Sequence, residues 1–233
     1  MTTDTPKDGF GQEIPKQYFD KVSGIRDDVR KACEELAHKN TYFPKQLHGN
    51  EYHDNYVGSF NLDAQRWPES ERMQVEDALQ KGTIVDLCCG GADSTISSAE
   101  LAHHFKAPTF IGVEQIHTKH QDWSDKFAKC KFNGLGGLTL RADVREFLQS
   151  LPPNSVNFLM TGIDWNVWAS DAVPEGYVED VKMLMMDRCL PGGVLLLDEY
   201  SRKRLGLDHG LPKDKWEEIN QFALRKIAAN ESK

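Results

Sequence analysis

With 233 residues, of which 39% are hydrophobic and 27% charged, the chain can enclose one sizeable core, and a single domain behind an N-terminal extension is the simplest arrangement. Its formal net charge of −8 argues against a broad nucleic-acid or anionic-membrane footprint, which needs clustered Lys and Arg, and favours a small-molecule partner. No apolar run approaches the roughly 20 residues of a membrane span, and the polar N-terminus lacks a signal-peptide core, so a cytoplasmic protein is expected.

Residues 1–15 mix Thr, Asp, Lys, Pro and Gly without periodicity and predict a disordered tail. Residues 16–82 read as an N-terminal helical extension. Within it, Ile25, Val29, Cys33 and Leu36 fall three or four apart among charges, the stripe of one buried helix. Residues 40–67 are rich in aromatics with little periodicity and suit either a lid over a site or a packed irregular segment. Pro68 then opens a helix that Gly82 closes.

The domain proper, 83–233, starts with TIVDLCCGGADST, a short apolar run that meets an acid, a glycine pair and the start of a helical pattern. That is a strand, a tight turn and a helix. The helix is expected over 94–105 and a second strand over 110–114, followed by a helix over about 119–132 and a third strand over 138–142. A fourth strand is expected over 155–160, a helix over 177–189, a fifth strand over 193–197, and a final helix over 213–229 that buries Trp216, Ile219, Phe222 and Ile227. This alternation predicts an α/β fold with a doubly wound, mostly parallel sheet, which binds ligands at the carboxyl ends of its strands. The five cysteines lack C-x-x-C spacing and are expected to be reduced core residues.

At the strand ends the chemistry is acidic. Gly90 and Gly91 let the backbone approach a ligand closely, and the helix after them aims unpaired N–H groups at the same point. Glu114 follows at roughly the 20-residue offset at which an acid reaches a ribose hydroxyl pair. Histidines 103, 104, 117 and 120 read as solvated side chains on helices.

The stretches VDLCCGGADS, GVEQ, RADVREFL, LPPNSVNFL and LPGGVLLLDEY, in this order and spacing, resemble the motifs of class I S-adenosylmethionine-dependent methyltransferases over about residues 83–200. The resemblance implies a Rossmann-like methyltransferase fold whose first turn cradles the methionine end of the cofactor. The acid after strand two would hold the ribose and the acid after strand three the adenine. Carried over, the cofactor set is Asp86, Cys88, Gly90, Gly91, Ala92, Glu114, Gln115, Asp143, Val144 and Thr161. Where the family reads D-x-G-x-G-x-G, this chain has Asp86, Cys88, Gly90 and Ala92, so two glycines of three are lost. The stretches IDWNVW and LDEY are further similar to macrocin-type metal-dependent O-methyltransferases. That likeness implies Mg²⁺ held by Asp164, Asp198 and Glu199, which would acidify an acceptor hydroxyl, with Asp164 as the proton acceptor. His209, in the loop after strand five, is the other base candidate.

Two alternatives stand beside this reading. CGGADS is also similar to the phosphate-binding S-G-G-x-D-S loop of ATP-pyrophosphatase-type adenylating enzymes, and the altered glycine turn suits an inactive methyltransferase-like binding module. The family closes its sheet with a hairpin of a sixth and a seventh strand. Here the residues after Tyr200 read as mostly helical, so those strands are expected to be missing, and the uncovered sheet edge invites a homo-oligomer.

Overall fold

The computed structural model describes residues 19, 22–39, 60, 63–114, 127, 129–130, 132–161, 163, 168, 173–208 and 211–228. The expected tail and most of segments 40–67 and 119–132 lie outside these residues. The described residues of the N-terminal extension include the helices α1 (Asp27–Lys39) and α2 (Glu69–Leu79). β1 (Ile84–Leu87), α3 (Ala92–His104) and β2 (Thr109–Glu114) then make the first strand–helix–strand unit. β3 (Gly136–Arg141), α4 (Val144–Ser150), β4 (Asn157–Met160), α5 (Tyr177–Arg188) and β5 (Val194–Leu197) continue the alternation. The chain closes with α6 (Glu199–Arg204), β6 (Trp216–Asn220) and β7 (Ala223–Lys226).

Among the described residues, seven strands form one sheet in the order β3-β2-β1-β4-β5-β7-β6. The first five are mutually parallel, while β7 runs antiparallel to both β5 and β6. β1, β2, β4 and β5 are buried along their whole length, which explains why they are predominantly apolar instead of alternating. Each face of the sheet carries its own core. Val85, Leu87, Ile111, Leu138 and Phe158 pack with Val29 and Cys33 of α1, Phe147 of α4 and Val181 of α5. Ile84, Phe110, Leu159 and Leu196 pack on the opposite face with Val75 and Leu79 of α2 and Ala99 and Ala102 of α3. The doubly wound α/β architecture expected from the alternation is thus the observed one.

The expected terminal helix and the missing strands are corrected: 216–226 is an antiparallel hairpin. The physical reason lies in burial on both faces. Trp216 enters one core while Ile219 and Phe222 pack against the other, so apolar residues recur every three positions, the spacing of a helix stripe. A Gln221–Phe222 connection carries none of the Asn-Gly or Asp-Gly signal that marks a tight hairpin. Phe222 stacks on Trp67 with ring centroids 6.1 Å apart and meets the edge of Phe60 at 5.6 Å, so the extension fastens the hairpin. From the other side the nine-tenths buried Arg202 of α6 donates to Gln221 O at 3.0 Å and to Glu218 Oε2 at 2.6 Å. The β5 edge is therefore covered by β7. The new edge strand, β6, has a register irregularity between Glu218 and Asn220 and carries Glu217 and Glu218, both of which discourage strand addition.

Two short helices were not resolved by periodicity. α4 shows the signature of a capping box, since Asp143 caps it and accepts from the Glu146 N–H at 3.0 Å. α6 is capped in the same way by Asp198.

Candidate cofactor site

The strand order reverses between β1 and β4, and the residues following β1 occupy that switch point. At the end of β1 the N–H groups of Cys88 and Cys89 both donate to Val113 O, at 2.9 and 3.1 Å, which curls the chain over β2. Cys88 (φ 67°) and Gly90 (φ 70°) sit in the left-handed region, routine for glycine and costly for cysteine. Gly91 caps α3 through its backbone, and the Thr95 hydroxyl donates to Gly91 O at 2.9 Å, with Cys89 O at 3.2 Å. The turn lies so close to β2 that a Cβ on Gly112 would come within 2.9 Å of Cys89 Sγ and 3.2 Å of Thr95 Cγ2. Ala92, where the family has its last glycine, opens α3.

Three buried acids surround this turn. Asp86, 1% exposed in β1, is in register with Gly112 of β2 and Leu159 of β4. Among the described residues neither of its oxygens meets hydrogen-bond geometry. Burial pushes its carboxyl up to about 8; the Ser98 hydroxyl, close by but outside bonding geometry, draws it partway back, and the Glu114 charge raises it further. Glu114 ends β2, is 6% exposed, and accepts from the Gly90 N–H at 2.8 Å, a bond that ties the glycine turn to the neighbouring strand. Asp143 follows β3 and is 4% exposed. Its Oδ1 accepts from Glu146 N at 3.0 Å and its Oδ2 from the Tyr177 hydroxyl at 2.8 Å. Burial pushes the Asp143 carboxyl up, and these two donors pull it back down.

Burial also pushes the Cys88 and Cys89 thiols well above their ordinary range, and the charges of Glu114 and Asp86 add to the effect. Both thiols stay protonated, which removes them as nucleophiles. The Val144 side chain is buried in the core, so only its backbone N–H, one of the unpaired donors of the first turn of α4, is available to a ligand. Thr161, just beyond β4, is 2% exposed, and its hydroxyl has no hydrogen-bond partner among the described residues.

Of the residues expected around a metal, Asp198 and Glu199 are described. Both oxygens of Asp198 are engaged by Ser201, accepting from its N–H at 2.7 Å and its hydroxyl at 2.8 Å, and Glu199 is exposed on the first turn of α6. Among the described residues no three His, Cys, Asp or Glu side chains converge in a way that holds a metal ion. Asp164, His209 and Gln115 lie outside the described residues. Of the donor set implied for Mg²⁺, the described members Asp198 and Glu199 are thus a helix cap and an exposed side chain.

The sequence reading missed Tyr177, Thr95, Ser98 and Gly112. Only Gly112 carried a signal: an isolated glycine in an apolar strand marks close approach by another part of the chain. Tyr177 was legible as a helix residue, but its bond to Asp143 spans 34 positions and has no local signature.

No protein-family model matches the chain, and no curated protein matches it. Solved structures overlap it at low identity. An rRNA methylase from Streptococcus thermophilus is 13% identical, with 68% of this chain and 95% of that one covered and a TM-score of 0.41. A precorrin-6y C5,15-methyltransferase from Geobacter metallireducens is 18% identical, with 80% of each chain covered and a TM-score of 0.36. An S-adenosylhomocysteine-bound methyltransferase from Podospora anserina is 14% identical, with 81% and 68% covered and a TM-score of 0.33.

Proposed function

We propose that the chain binds S-adenosylmethionine at the β1–α3 turn and transfers its methyl group to a small-molecule acceptor, with a hydroxyl oxygen as the acceptor atom that the sequence resemblance implies. The observation that carries this reading is the set of three buried acids, Asp86, Glu114 and Asp143, at or near the carboxyl ends of the adjacent strands β1, β2 and β3. Ionised carboxylates only accept hydrogen bonds, and a ribose diol, an adenine amine and an ammonium group are all donors. The oxygens of Asp86, which meet no hydrogen-bond geometry among the described residues, fit the same picture, since a cationic ligand would remove the cost of ionising them. Bound there, the cofactor would supply a methyl carbon made electrophilic by its sulfonium. The chain's own residues would hold and orient it: Glu114 across the mouth of the turn, Asp143 beside the base.

The adenylating alternative asks the same turn to hold phosphates. Instead, the Gly90 N–H, a donor such a cradle would use, is occupied by Glu114, whose charge repels anions. The turn therefore favours a donor-rich, cationic ligand.

The reading is tested by incubating the protein with methyl-labelled S-adenosylmethionine and, separately, small-molecule extract, RNA and denatured protein. Label is expected in the small-molecule fraction. Label in RNA or protein would overturn the acceptor class, and tight cofactor binding with no transfer to any fraction would favour the binding-module alternative.

A further inference from the structure

Resting on the cofactor reading above, we infer that Tyr177 is a positioning residue for base recognition: its hydroxyl, donating to Asp143 Oδ2 at 2.8 Å, sets the Asp143 carboxylate to accept from the 6-amino group of adenine and to reject a 6-oxo base. A carboxylate offers about four lone-pair sites, and its plane is free to turn unless donors hold it. Here each oxygen is held. Glu146 N takes Oδ1 at 3.0 Å from α4, and the Tyr177 hydroxyl takes Oδ2 from α5. Neither oxygen can turn without breaking a bond, so the remaining lone pairs keep a fixed direction at the end of β3.

Tyr177 can serve as such a stop because its ring is packed on several sides. It is the first residue of α5 and 2% exposed. Trp168 meets its ring edge-on, with centroids 5.2 Å apart and planes at 90°, and the Arg145 guanidinium lies 5.2 Å from the ring centroid. The tyrosine has a second effect. The groups facing Asp143 are Glu146 and Arg145 of α4, Tyr177 of α5 and the Cys88 thiol of the glycine turn. Burial and the Glu146 charge favour the protonated acid, whereas the Tyr177 hydroxyl and Arg145 favour the carboxylate. Tyr177 thus favours the ionised, acceptor-only form of Asp143, together with the Glu146 N–H, and an amino group satisfies such an acceptor where a carbonyl oxygen does not.

The test compares Kd for S-adenosylhomocysteine and its 6-oxo analogue, S-inosylhomocysteine, in the wild type and in Tyr177→Phe, with the melting temperature as a check on folding. The wild type is expected to prefer the adenine ligand. Tyr177→Phe, which retains the ring and its packing, should lose on the order of tenfold in affinity for the adenine ligand, as one bond to a charged group warrants, with little change for the 6-oxo ligand. In an Asp143→Asn background the same Tyr177→Phe change should no longer alter the preference, because the two residues act as one unit. An equal loss for both ligands, an unchanged preference in Tyr177→Phe, or additive effects in the double variant would overturn the inference. A wild type that binds neither ligand would overturn the cofactor reading first and this inference with it.

Discussion

Asp86→Asn is expected to match the wild type in stability near pH 4 and to exceed it by a margin that widens toward pH 8. In the folded protein the Asp86 carboxyl is buried without hydrogen bonds from the described residues, and its pKa is pushed up to about 8 by burial. In the unfolded chain it ionises near the ordinary carboxylate value of about 3.9. Between those two values the folded state holds a proton that the unfolded state has released. Stability contributed by the neutral acid is therefore complete below the unfolded value and is lost as pH rises to about 8, at ~1.4 kcal/mol per pH unit. Asparagine does not titrate, so the variant's advantage should grow by on the order of 4 kcal/mol between pH 5 and pH 8. Urea denaturation of both proteins at each pH measures it. A difference that stays constant with pH would mean that Asp86 is ionised and compensated when the protein is folded. The same substitution is expected to weaken cofactor binding, so Asp86 would be a residue kept for function at a cost in stability.

Glu114→Ala is expected to reduce affinity for S-adenosylhomocysteine by roughly tenfold to a hundredfold, corresponding to about 1.5–3 kcal/mol for hydrogen bonds to a charged group. Two losses combine in it. The carboxylate that would accept from the ribose hydroxyls is gone, and the Gly90 N–H, now bonded to Glu114 Oε2 at 2.8 Å, loses the partner that fixes the turn. Glu114→Gln keeps an acceptor oxygen for Gly90 and should lose less. Both are read from Kd by calorimetric titration, and an unchanged Kd for Glu114→Ala would place the ribose elsewhere.

The parts of this fold that were legible in the sequence are those whose signal is local. β1, β2, β4 and β5 are buried on both faces and appear as short apolar runs, and the turn after β1 shows itself in its glycine pair. The acids Glu114, Asp143 and Asp198 could be placed at strand ends because each follows an apolar run. What each carboxylate does there was not legible, since that depends on partners. Asp198 and Asp143 follow their strands in the same way and both cap helices, yet Asp198 gives its second oxygen to the neighbouring Ser201 while Asp143 receives a tyrosine from a distant helix. The hairpin of β6 and β7 was misread for a related reason. A strand between two cores buries residues at odd separations, and Trp216, Ile219 and Phe222 imitate a helix until the pairing of β6 with β7 is known.

The most direct test of the central claim is calorimetric titration of the unliganded protein with S-adenosylhomocysteine and, separately, with ATP and Mg²⁺. Saturable one-site binding of S-adenosylhomocysteine, displaced by S-adenosylmethionine, is expected, with no saturable binding of ATP, because Glu114 occupies the Gly90 N–H that a phosphate would use. Saturable binding of ATP with no binding of S-adenosylhomocysteine would contradict it.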